Sequence, residues 1–422
     1  MEFLFSKKFA IGVFKRMNIV FLTIGRMNNI EDHTIYSDLL REFRNNGHNI
    51  YVVSANEKRS GGKTEIIDEN GVHILRVKIG NITKCGLIEK GISTLKIEGQ
   101  FIRAIKKYFK DVKFDLVMYS TPPITFAKVV KFIKKRDNAK SYLLLKDIFP
   151  QNAIDIGMLT KSGVKGFIYR FFRKKEKDLY AFSDKIGCMS QANCEYILKN
   201  NPEIDASKVE VCPNSIQVQD LRLNKSGTLA MRKKYDLPVD KKILVYGGNL
   251  GKPQGIPFLI DCLKSQEKND KAFFLIIGSG TEFGKLESYF EENKPQNMKL
   301  MKSLPKSDYD KMVAACDVGM IFLDHRFTIP NFPSRLLAYM QAGVPVLACT
   351  DPNTDVGQVI EQGGFGWWCE SNDVAAFDRC VNIAANLSED GYRVMQNNAL
   401  GYLKDNYSVE NAYNVIMSGV ER

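Results

Sequence analysis

The sequence predicts an α/β protein made of two doubly wound, Rossmann-like domains that face each other across a cleft. Its 422 residues exceed what one hydrophobic core usually serves, which favours two domains. Short apolar runs alternate with helical stripes from residue 17 onward, and glycine-rich turns follow several of these runs. A charged stretch at residues 215–241 separates two such series, so the halves look like two copies of one architecture.

The first half begins with a strand–helix–strand unit. Residues 17–24 form a continuous apolar run, typical of a strand that is buried on both faces of a parallel sheet. Ile35, Leu39, Leu40 and Phe43 follow at helical spacing, and an Asn-Asn-Gly sequence ends this helix. Further strands are predicted at residues 49–54, 115–119, 141–146, 184–189 and 208–212.

The second half has its own series of strands, predicted at residues 242–246, 272–277, 298–301, 318–323 and 344–348. We interpret residues 1–16 as an N-terminal extension, residues 17–225 as the first domain and residues 226–408 as the second. The final helix, residues 409–420, is expected to pack back onto the first domain.

The composition is that of a soluble globular protein, with 44% hydrophobic and 26% charged residues. No run of about 18 uncharged apolar residues occurs, so no transmembrane helix is expected. The short basic opening lacks a small-residue cleavage site, which argues against a signal peptide. Nine cysteines, none with the two-residue spacing of a zinc or thioredoxin site, indicate a reducing cytoplasm.

The formal charge of +12 suits an anionic membrane surface, a phosphorylated substrate or nucleic acid. Basic and apolar residues interleave at residues 101–110, 128–140 and 165–175. These segments are either ordinary amphipathic helices with a solvated charged face or docking elements for an anionic leaflet. No nucleic-acid-binding motif is recognised, so nucleic acid is not an expected partner.

Two successive strands of the second half end in glycine-rich turns, which we predict to contact a phosphate-bearing ligand. Glycines let the backbone approach a ligand closely, and amides after such a turn can hold phosphate oxygens. Each turn by itself is equally explained as a tight turn, but both follow carboxyl ends of neighbouring strands and so point to one crevice. The candidate ligand-binding residues in these turns are Gly248, Asn249, Gly251, Gly278 and Gly280.

The most informative segment is residues 329–346. Pro333 is expected at an early position of a helix, where its missing N–H does no harm, and Ser334 is expected to cap that helix or to contact phosphate. Arg335 offers a planar fork of donors suited to a diphosphate, and Leu336 is expected to face the core. The alternative is a helix that carries a surface arginine.

Residues 332–346 resemble the nucleotide-sugar helix of the retaining glycosyltransferase family four. Members often have proline, serine, lysine, two apolar residues, glutamate, tyrosine and methionine there, followed by alanine-glycine-x-proline-valine. The glycine turn at residues 247–255 falls where the family has its equivalent. Residues 120–123 and 147–151 resemble a subgroup of bacterial surface-polysaccharide enzymes that includes fucosaminyltransferase-like proteins. The resemblance covers about residues 17–407 and implies the two-domain fold called GT-B.

This resemblance implies that the second domain binds a nucleotide sugar and the first domain binds the acceptor. The turn from Gly248 to Lys252 and the side chain of Arg335 would face the diphosphate, with Ser334 and Leu336 near the phosphates and the ribose or base. It also implies a reaction that retains the anomeric configuration, with basic side chains neutralising the leaving diphosphate. Neither a cofactor nor a metal ion is expected, since no carboxylate or histidine cluster suggests a metal site.

The sequence departs from the family pattern at four positions. Two glutamates that the family often carries correspond to Pro330 and Ala338, and the second of these usually holds the ribose. The common arginine and lysine of the glycine turn appear as Asn249 and Gln254. A weakened or inactive homologue is therefore an open alternative.

The candidate catalytic residues are Asp147, His33, Arg335 and Lys252. Asp147 closes an apolar strand before Pro150, and it either serves the acceptor as a ligand or base or fixes its own turn. His33 either touches the transferred sugar or is an exposed helix-start residue. Arg335 and Lys252 would supply the positive charge for the leaving diphosphate.

Together these features favour a cytoplasmic, membrane-associated retaining transferase. It would move a sugar from a nucleoside diphosphate, expected to be UDP, to a lipid-linked glycan for capsule, exopolysaccharide or O-antigen. The expected partners are the nucleotide sugar, the glycan acceptor and the anionic inner face of the plasma membrane. The alternatives are a UDP-sugar 2-epimerase, which needs no acceptor, and a non-catalytic sugar-nucleotide-binding homologue that scaffolds a biosynthetic complex.

Overall fold

The computed structural model describes residues 15–421, with residues 87 and 88 described in their backbone only. It contains one eight-stranded and one six-stranded sheet, each flanked by helices. The predicted α/β, doubly wound architecture is therefore confirmed in both halves. Most of the predicted N-terminal extension lies outside the described residues.

The first domain is built on the eight-stranded sheet. Its strands are β1 (Asn18–Thr23), β2 (Asn49–Glu57), β3 (Glu65–Glu69), β4 (Val72–Ile79), β5 (Leu116–Ser120), β6 (Lys140–Leu145), β7 (Lys185–Cys188) and β8 (Val209–Val211). Its helices are α1 (Ile35–Asn45), α2 (Leu87–Tyr108), α3 (Ala127–Asp137), α4 (Gln151–Asp155), α5 (Gly163–Phe182) and α6 (Gln191–Asn200). The strand order is β3-β4-β2-β1-β5-β6-β7-β8, and every neighbouring pair is parallel except β3 with β4.

The second domain is built on the six-stranded sheet. Its helices and those that follow are α7 (Lys225–Lys234), α8 (Ile256–Ser265), α9 (Phe283–Asn293), α10 (Lys306–Ala314), α11 (Arg335–Gln341), α12 (Val356–Gln362), α13 (Val374–Ala385), α14 (Glu389–Tyr407) and α15 (Val409–Glu421). Its strands are β9 (Lys242–Asn249), β10 (Ala272–Ser279), β11 (Met298–Met301), β12 (Val318–Phe322), β13 (Val346–Thr350) and β14 (Gly366–Glu370). All are parallel, in the order β11-β10-β9-β12-β13-β14.

Both faces of each sheet are covered, as the apolar runs predict. In β1, Val20 and Leu22 face one hydrophobic cluster, whereas Ile19 and Phe21 face the cluster on the other side. Neighbouring residues of a strand point to opposite faces, so a sheet buried on both sides needs an unbroken apolar run. This is why the central strands could be located from the sequence.

Three strands were missed, and each lacks such a run. β3 and β14 each lie at one edge of their sheet, β3 has no buried residue, and only Cys369 of β14 is buried. β4 lies beside β3, and charged or polar residues such as Arg76 and Lys78 interrupt its apolar pattern. Strands with half-exposed or charged residues do not produce the continuous apolar signal of a fully buried strand.

The stretch at residues 215–241, predicted as a linker, contains the helix α7. Met231 of α7 packs into a cluster of the second domain. The adjacent Arg232 pairs with Asp317 at 2.6 Å and donates from Nε to the Ala315 carbonyl at 2.9 Å. The charge of this stretch is thus partly structural, and α7 belongs to the second domain.

The chain crosses between the domains twice, and the two crossings run side by side. The Ile216 amide donates to the Tyr407 carbonyl, and the Val409 amide donates to the Ile216 carbonyl, both at 3.1 Å. Beyond this point α15 lies against α1, where the rings of Tyr413 and Phe43 are 4.8 Å apart. The last helix is therefore part of the first domain's core.

Candidate active site in the cleft

Two adjacent cavities lie where strands of the second sheet end. The larger, of about 540 Å³, is lined by the ends of β9 and β10 and by α10. The smaller, of about 170 Å³, has residues 33–38 of the first domain on one side and residues of α10 and α11 on the other. Lys306, Asp310 and Ala338 line both cavities, so the two form one continuous cleft.

The two glycine turns pack against each other. A Cβ at Gly278 would lie 2.0 Å from the Gly248 carbonyl oxygen, and one at Gly280 would lie 2.3 Å from the Leu250 oxygen. The protein's own backbone therefore requires glycine at both positions, which agrees with the tight-turn interpretation. Gly278 also lines the larger cavity, whereas Gly280 is not among the residues that line either cavity.

The first glycine turn closes on itself through two amide side chains. Gln254 Oε1 accepts from Asn249 Nδ2 at 3.0 Å and from the Gly251 amide at 3.2 Å. The Gly251 amide is therefore already satisfied without a ligand. Lys252 is exposed and lines neither cavity, so in this conformation only Gly248 and Asn249 of the turn reach the cleft.

Arg335 is a cation held beside the first glycine turn. Its guanidinium lies over the ring of Tyr246, with Cζ 4.4 Å from the ring centroid. A Cβ on Gly248 would lie 3.5 Å from Nη2, so the turn passes directly next to the guanidinium. Nη1 is buried and lacks a hydrogen-bond partner, and no carboxylate of the described residues pairs with this side chain.

Three tyrosines fix that guanidinium without neutralising it. Burial raises the pKa of Tyr246, and it raises the pKa of Tyr309 to about 12, in both cases against the opposing effect of Arg335. Both phenols are therefore neutral at physiological pH. The Tyr339 hydroxyl donates to the Met320 carbonyl at 3.0 Å, which ties α11 to β12. A cation in such surroundings carries a desolvation cost that an anion would offset.

Ser334 and Leu336 flank Arg335 but differ in exposure. The helix begins at Arg335, so Pro333 precedes it and the prediction of an early helical proline was wrong. Ser334 is at the N-cap position, but its side chain makes no capping hydrogen bond and instead lines the smaller cavity. Leu336 is fully buried in the core, as expected, and so it offers no surface to ribose or base in this conformation.

His33 lines the smaller cavity together with Ser334, one from each domain. The ring of His33 is half-exposed, and the residue directly precedes Thr34, the N-cap of α1. His33 Nδ1 lies 3.3 Å from Arg41 Nη2 and 3.4 Å from Asp38 Oδ1. The buried Asp38 also accepts from the Gln217 amide at 3.0 Å, which holds this corner of the first domain against the chain that enters the second.

Asp147 is not brought together with the other candidates. Its carboxylate accepts two contacts from Asn152 Nδ2, at 2.8 and 2.9 Å, and lines neither cavity. Burial raises the pKa of Asp147 to about 6, although the hydrogen bonds from Asn152 oppose this. In this conformation its side chain fixes its own turn, the second of the two interpretations drawn from the sequence.

Sequence reasoning missed Lys306 and Asp310, which line both cavities and pair with each other at 2.6 Å. They stand four residues apart at the start of α10. Such spacing is common on exposed helices, so it gave no sign of a site. The tyrosines around Arg335 were missed because apolar periodicity does not reveal where a ring points.

Residues 15–421 contain neither a candidate metal-binding cluster nor a helix suited to span a membrane. No group of three or more His, Cys, Asp or Glu side chains in this part of the chain could hold a metal ion. None of its helices is both long and apolar enough to cross a membrane.

The two facing, doubly wound domains define the GT-B architecture, and solved structures agree with this fold. Sucrose-phosphate synthase from Thermosynechococcus elongatus matches with a TM-score of 0.74 at 14% identity, covering 96% of this chain and 98% of that one. Anabaena HepE, in complex with UDP and glucose, matches with a TM-score of 0.68 at 14% identity, covering 96% and 100%. At this identity the likeness establishes the fold alone.

Residues 228–400 match the family model described as "Glycosyl transferases group 1", a segment that contains the glycine turns and Arg335. The chain is 23% identical over 312 residues to "Probable glycosyltransferase WbjE" of Pseudomonas aeruginosa, covering 74% of this chain and 75% of that protein. It is 22% identical over 253 residues to WcaI of Escherichia coli K12, named as a colanic acid biosynthesis glycosyl transferase, covering 59% and 60%. Residues 228–400 of the second domain thus resemble a group 1 glycosyltransferase domain, and the chain is similar to these two named glycosyltransferases over more than half of its length. The fucosaminyltransferase-like subgroup stays a prediction.

We expect Gly278→Ala to destabilise the second domain by more than about 2 kcal/mol, because the new methyl group meets backbone that cannot move aside. Gly284→Ala is the matched control, since a Cβ there meets nothing within 4 Å. It should leave stability unchanged or raise it by up to about 1 kcal/mol, because Gly284 lies in α9. Chemical denaturation measures both. Equal effects of the two substitutions would contradict the packing described for the turns.

We expect Asp147→Asn to stabilise the protein at pH 8 by about 1–3 kcal/mol and to have little effect near pH 4. The folded-state pKa of about 6 lies above the ordinary value of 3.8, so the folded protein favours the protonated carboxyl. The stability that this protonation contributes is fully present below pH 3.8 and is lost as the pH rises to about 6. Asparagine keeps an acceptor for Asn152 without the charge. Melting temperatures recorded from pH 4 to pH 8 test this.

Asp184→Asn tests a carboxyl whose pKa is shifted in the opposite direction. Burial raises the pKa of Asp184, but hydrogen bonds from Lys134 and Ser141 outweigh burial and hold it below its usual range. Asp184→Asn should therefore destabilise the protein at pH 8, with an effect that shrinks on acidification. If the two variants follow the same pH dependence, the electrostatic assignment of Asp147 is wrong.

Proposed function

We propose that the protein is a retaining glycosyltransferase that moves a sugar from a UDP-sugar to a lipid-linked glycan in the synthesis of a bacterial surface polysaccharide. The observation that carries the proposal is the guanidinium of Arg335, which has no carboxylate partner among the described residues and lies beside Gly248, a residue that lines the larger cavity. A diphosphate would supply the missing negative charge. The planar fork of an arginine suits two of its oxygens at once.

The larger cavity has room for the rest of the donor. Its volume of about 540 Å³ lies within the range typical of small-molecule sites. Gly248 and its neighbour Arg335 would hold the diphosphate at one end. At another part of the cavity the hydroxyls of Ser279 and Ser303 lie 3.1 Å apart and offer polar partners for the ribose or base. HepE, solved with UDP and glucose, supports UDP as the nucleotide.

The smaller cavity is the proposed position of the transferred sugar and the acceptor hydroxyl. It joins the larger cavity at Lys306, Asp310 and Ala338 and is closed on its far side by His33 of the first domain. A sugar bound there would contact both domains. WcaI, named for colanic acid biosynthesis, supports a polysaccharide as the product.

The transfer step breaks the bond between the anomeric carbon and the diphosphate, so negative charge grows on the leaving oxygen. Arg335 is positioned before the reaction and lies in a partly dry site, and a fixed cation of this kind stabilises a growing charge more than a ground-state charge. Lys306, at the junction of the two cavities, would add a second positive charge once the ligand displaces its ion pair with Asp310. Because these two side chains would neutralise the leaving diphosphate, we extend the proposal to a reaction that needs no metal ion.

Transfer of label from radioactive UDP-sugars to the lipid fraction of bacterial membranes tests this function. The proposal expects label in lipid only when protein and membranes are both present. Conversion of the UDP-sugar without membranes would indicate an epimerase instead. Binding of UDP without either reaction would favour the non-catalytic scaffold.

Arg335→Met should weaken UDP binding by about 100-fold, because it removes two charge-assisted hydrogen bonds of about 1.5 kcal/mol each. The nucleotide-free protein should be no less stable than the wild type, since a buried group without a partner is removed. Calorimetric titration and thermal unfolding measure the two effects.

Arg232→Met is the matched control in the same domain. Arg232 is buried and pairs with Asp317 at 2.6 Å, so its loss should cost about 3–5 kcal/mol of stability and leave UDP affinity unchanged. Unchanged UDP affinity in Arg335→Met would remove the basis of the proposed function.

A further inference from the structure

Exposed apolar side chains concentrate on one part of the first domain. Among the described residues, seven of the twelve exposed large hydrophobic side chains are Ile92, Leu95, Met158, Val164, Phe167, Ile168 and Phe171. Four of these lie on α5 at helical spacing and form one continuous row, here called the α5 stripe: Val164, Phe167, Ile168 and Phe171. Val164 is 81% and Phe167 is 71% exposed, so most of the surface of these two side chains lies in solvent.

The other two basic-apolar segments of the sequence behave differently. Phe101 and Ile105 of α2 are fully buried, as are Val129 and Ile133 of α3. These segments are ordinary amphipathic helices whose apolar side completes the core of the first domain. Only the third segment leaves its apolar residues in solvent.

Basic residues border the α5 stripe. Lys161, Lys165, Arg170 and Lys174 are exposed, and none of them forms an ion pair with a described residue. No acidic residue occurs between positions 161 and 175. The α5 stripe is thus an apolar row bordered by cations, without an anion. It complements a surface whose outer layer is negatively charged and whose inner layer is apolar.

The stripe continues toward the carboxyl ends of the strands. Phe171 contacts the ring of Phe172 at 5.4 Å, and Phe172 contacts the ring of Phe149 at 5.0 Å. Phe149 lies two residues after Asp147, in the loop that follows β6. A surface bound by the stripe would therefore lie close to the loops at this edge of the first sheet.

We propose that the α5 stripe and its basic border bind the surface of an anionic phospholipid membrane. The four apolar side chains enter the boundary between headgroups and acyl chains while α5 lies parallel to the surface. Lys165, Arg170 and Lys174 contact lipid phosphates. This binding goes beyond the transfer reaction and needs no nucleotide, but it would place the first domain where a lipid-linked acceptor is found.

Co-sedimentation of the full chain with vesicles tests the proposal. Vesicles of phosphatidylcholine with phosphatidylglycerol should bind the protein at least about tenfold more tightly than phosphatidylcholine alone. Lys165→Gln/Arg170→Gln/Lys174→Gln should lower binding to the anionic vesicles by about 100-fold, since each nearby basic residue contributes about fivefold. Val164→Ser/Phe167→Ser should lower it by at least about tenfold without a change of charge.

Matched variants on the second domain serve as controls. Ile383→Ser/Val394→Ser removes two side chains that are also more than half exposed. Lys225→Gln/Lys264→Gln/Lys268→Gln removes three exposed lysines outside the proposed surface. Both should bind vesicles like the wild type.

Three outcomes would overturn the proposal. These are no preference for anionic vesicles, equal binding by the stripe variants and their controls, and a wild-type dimer that the Val164→Ser/Phe167→Ser variant converts to a monomer while no vesicle binds. UDP affinity is measured in parallel, so that a failure of vesicle binding can be distinguished from a failure of the proposed transferase function. Vesicle binding fails or succeeds independently of UDP binding, because no residue of the stripe lines either cavity of the cleft.

Discussion

The charge of Arg335, held by aromatic rings and not by a carboxylate, is the interaction on which the candidate site depends. Glycines next to the surrounding tyrosine rings help to keep the guanidinium in place. A Cβ on Gly247 would lie 2.1 Å from the Tyr309 hydroxyl, and one on Gly319 would lie 2.4 Å from the ring of Tyr339. Because these glycines have no side chain, the rings of Tyr309 and Tyr339 fit beside them. The guanidinium of Arg335 then lies next to the glycine turn. The packing of the second sheet thus keeps a cation without a carboxylate partner beside the glycine turn, as the proposed diphosphate site requires.

The arrangement of the two domains follows from where their strands end. Parallel strands collect their carboxyl-terminal loops at one edge, so each sheet brings several loops to the cleft. His33 comes from the first sheet's edge, and Ser334 from the second's. Two adjacent chain crossings at Ile216 and Val409 hold the domains together next to this cleft. In the proposed reaction both edges would contribute side chains, so neither domain would contain the whole site.

Sequence patterns predicted the fold better than the site, for a physical reason. Continuous apolar runs report burial on both faces, so the central strands and the two-domain architecture could be derived from them. The strands β3, β4 and β14 and the helix α7 lack that signal. In the site, Arg335 was found because its chemistry is specific, whereas Lys306 and Asp310 look like any exposed helical pair. The burial of Leu336 was predicted from the sequence, but the exposure of Ser334 depends on how α11 lies on β12, which residue spacing does not determine.

The central claim is that Arg335 requires a diphosphate, and calorimetric titration of the wild-type protein with uridine, UMP and UDP tests it most directly. The account predicts that UDP binds at least about tenfold more tightly than UMP, because only the diphosphate can occupy both the glycine turn and the guanidinium. UMP should in turn bind more tightly than uridine. Equal affinity for UMP and UDP would contradict the account, since the unpaired cation would then have no part in recognising the donor.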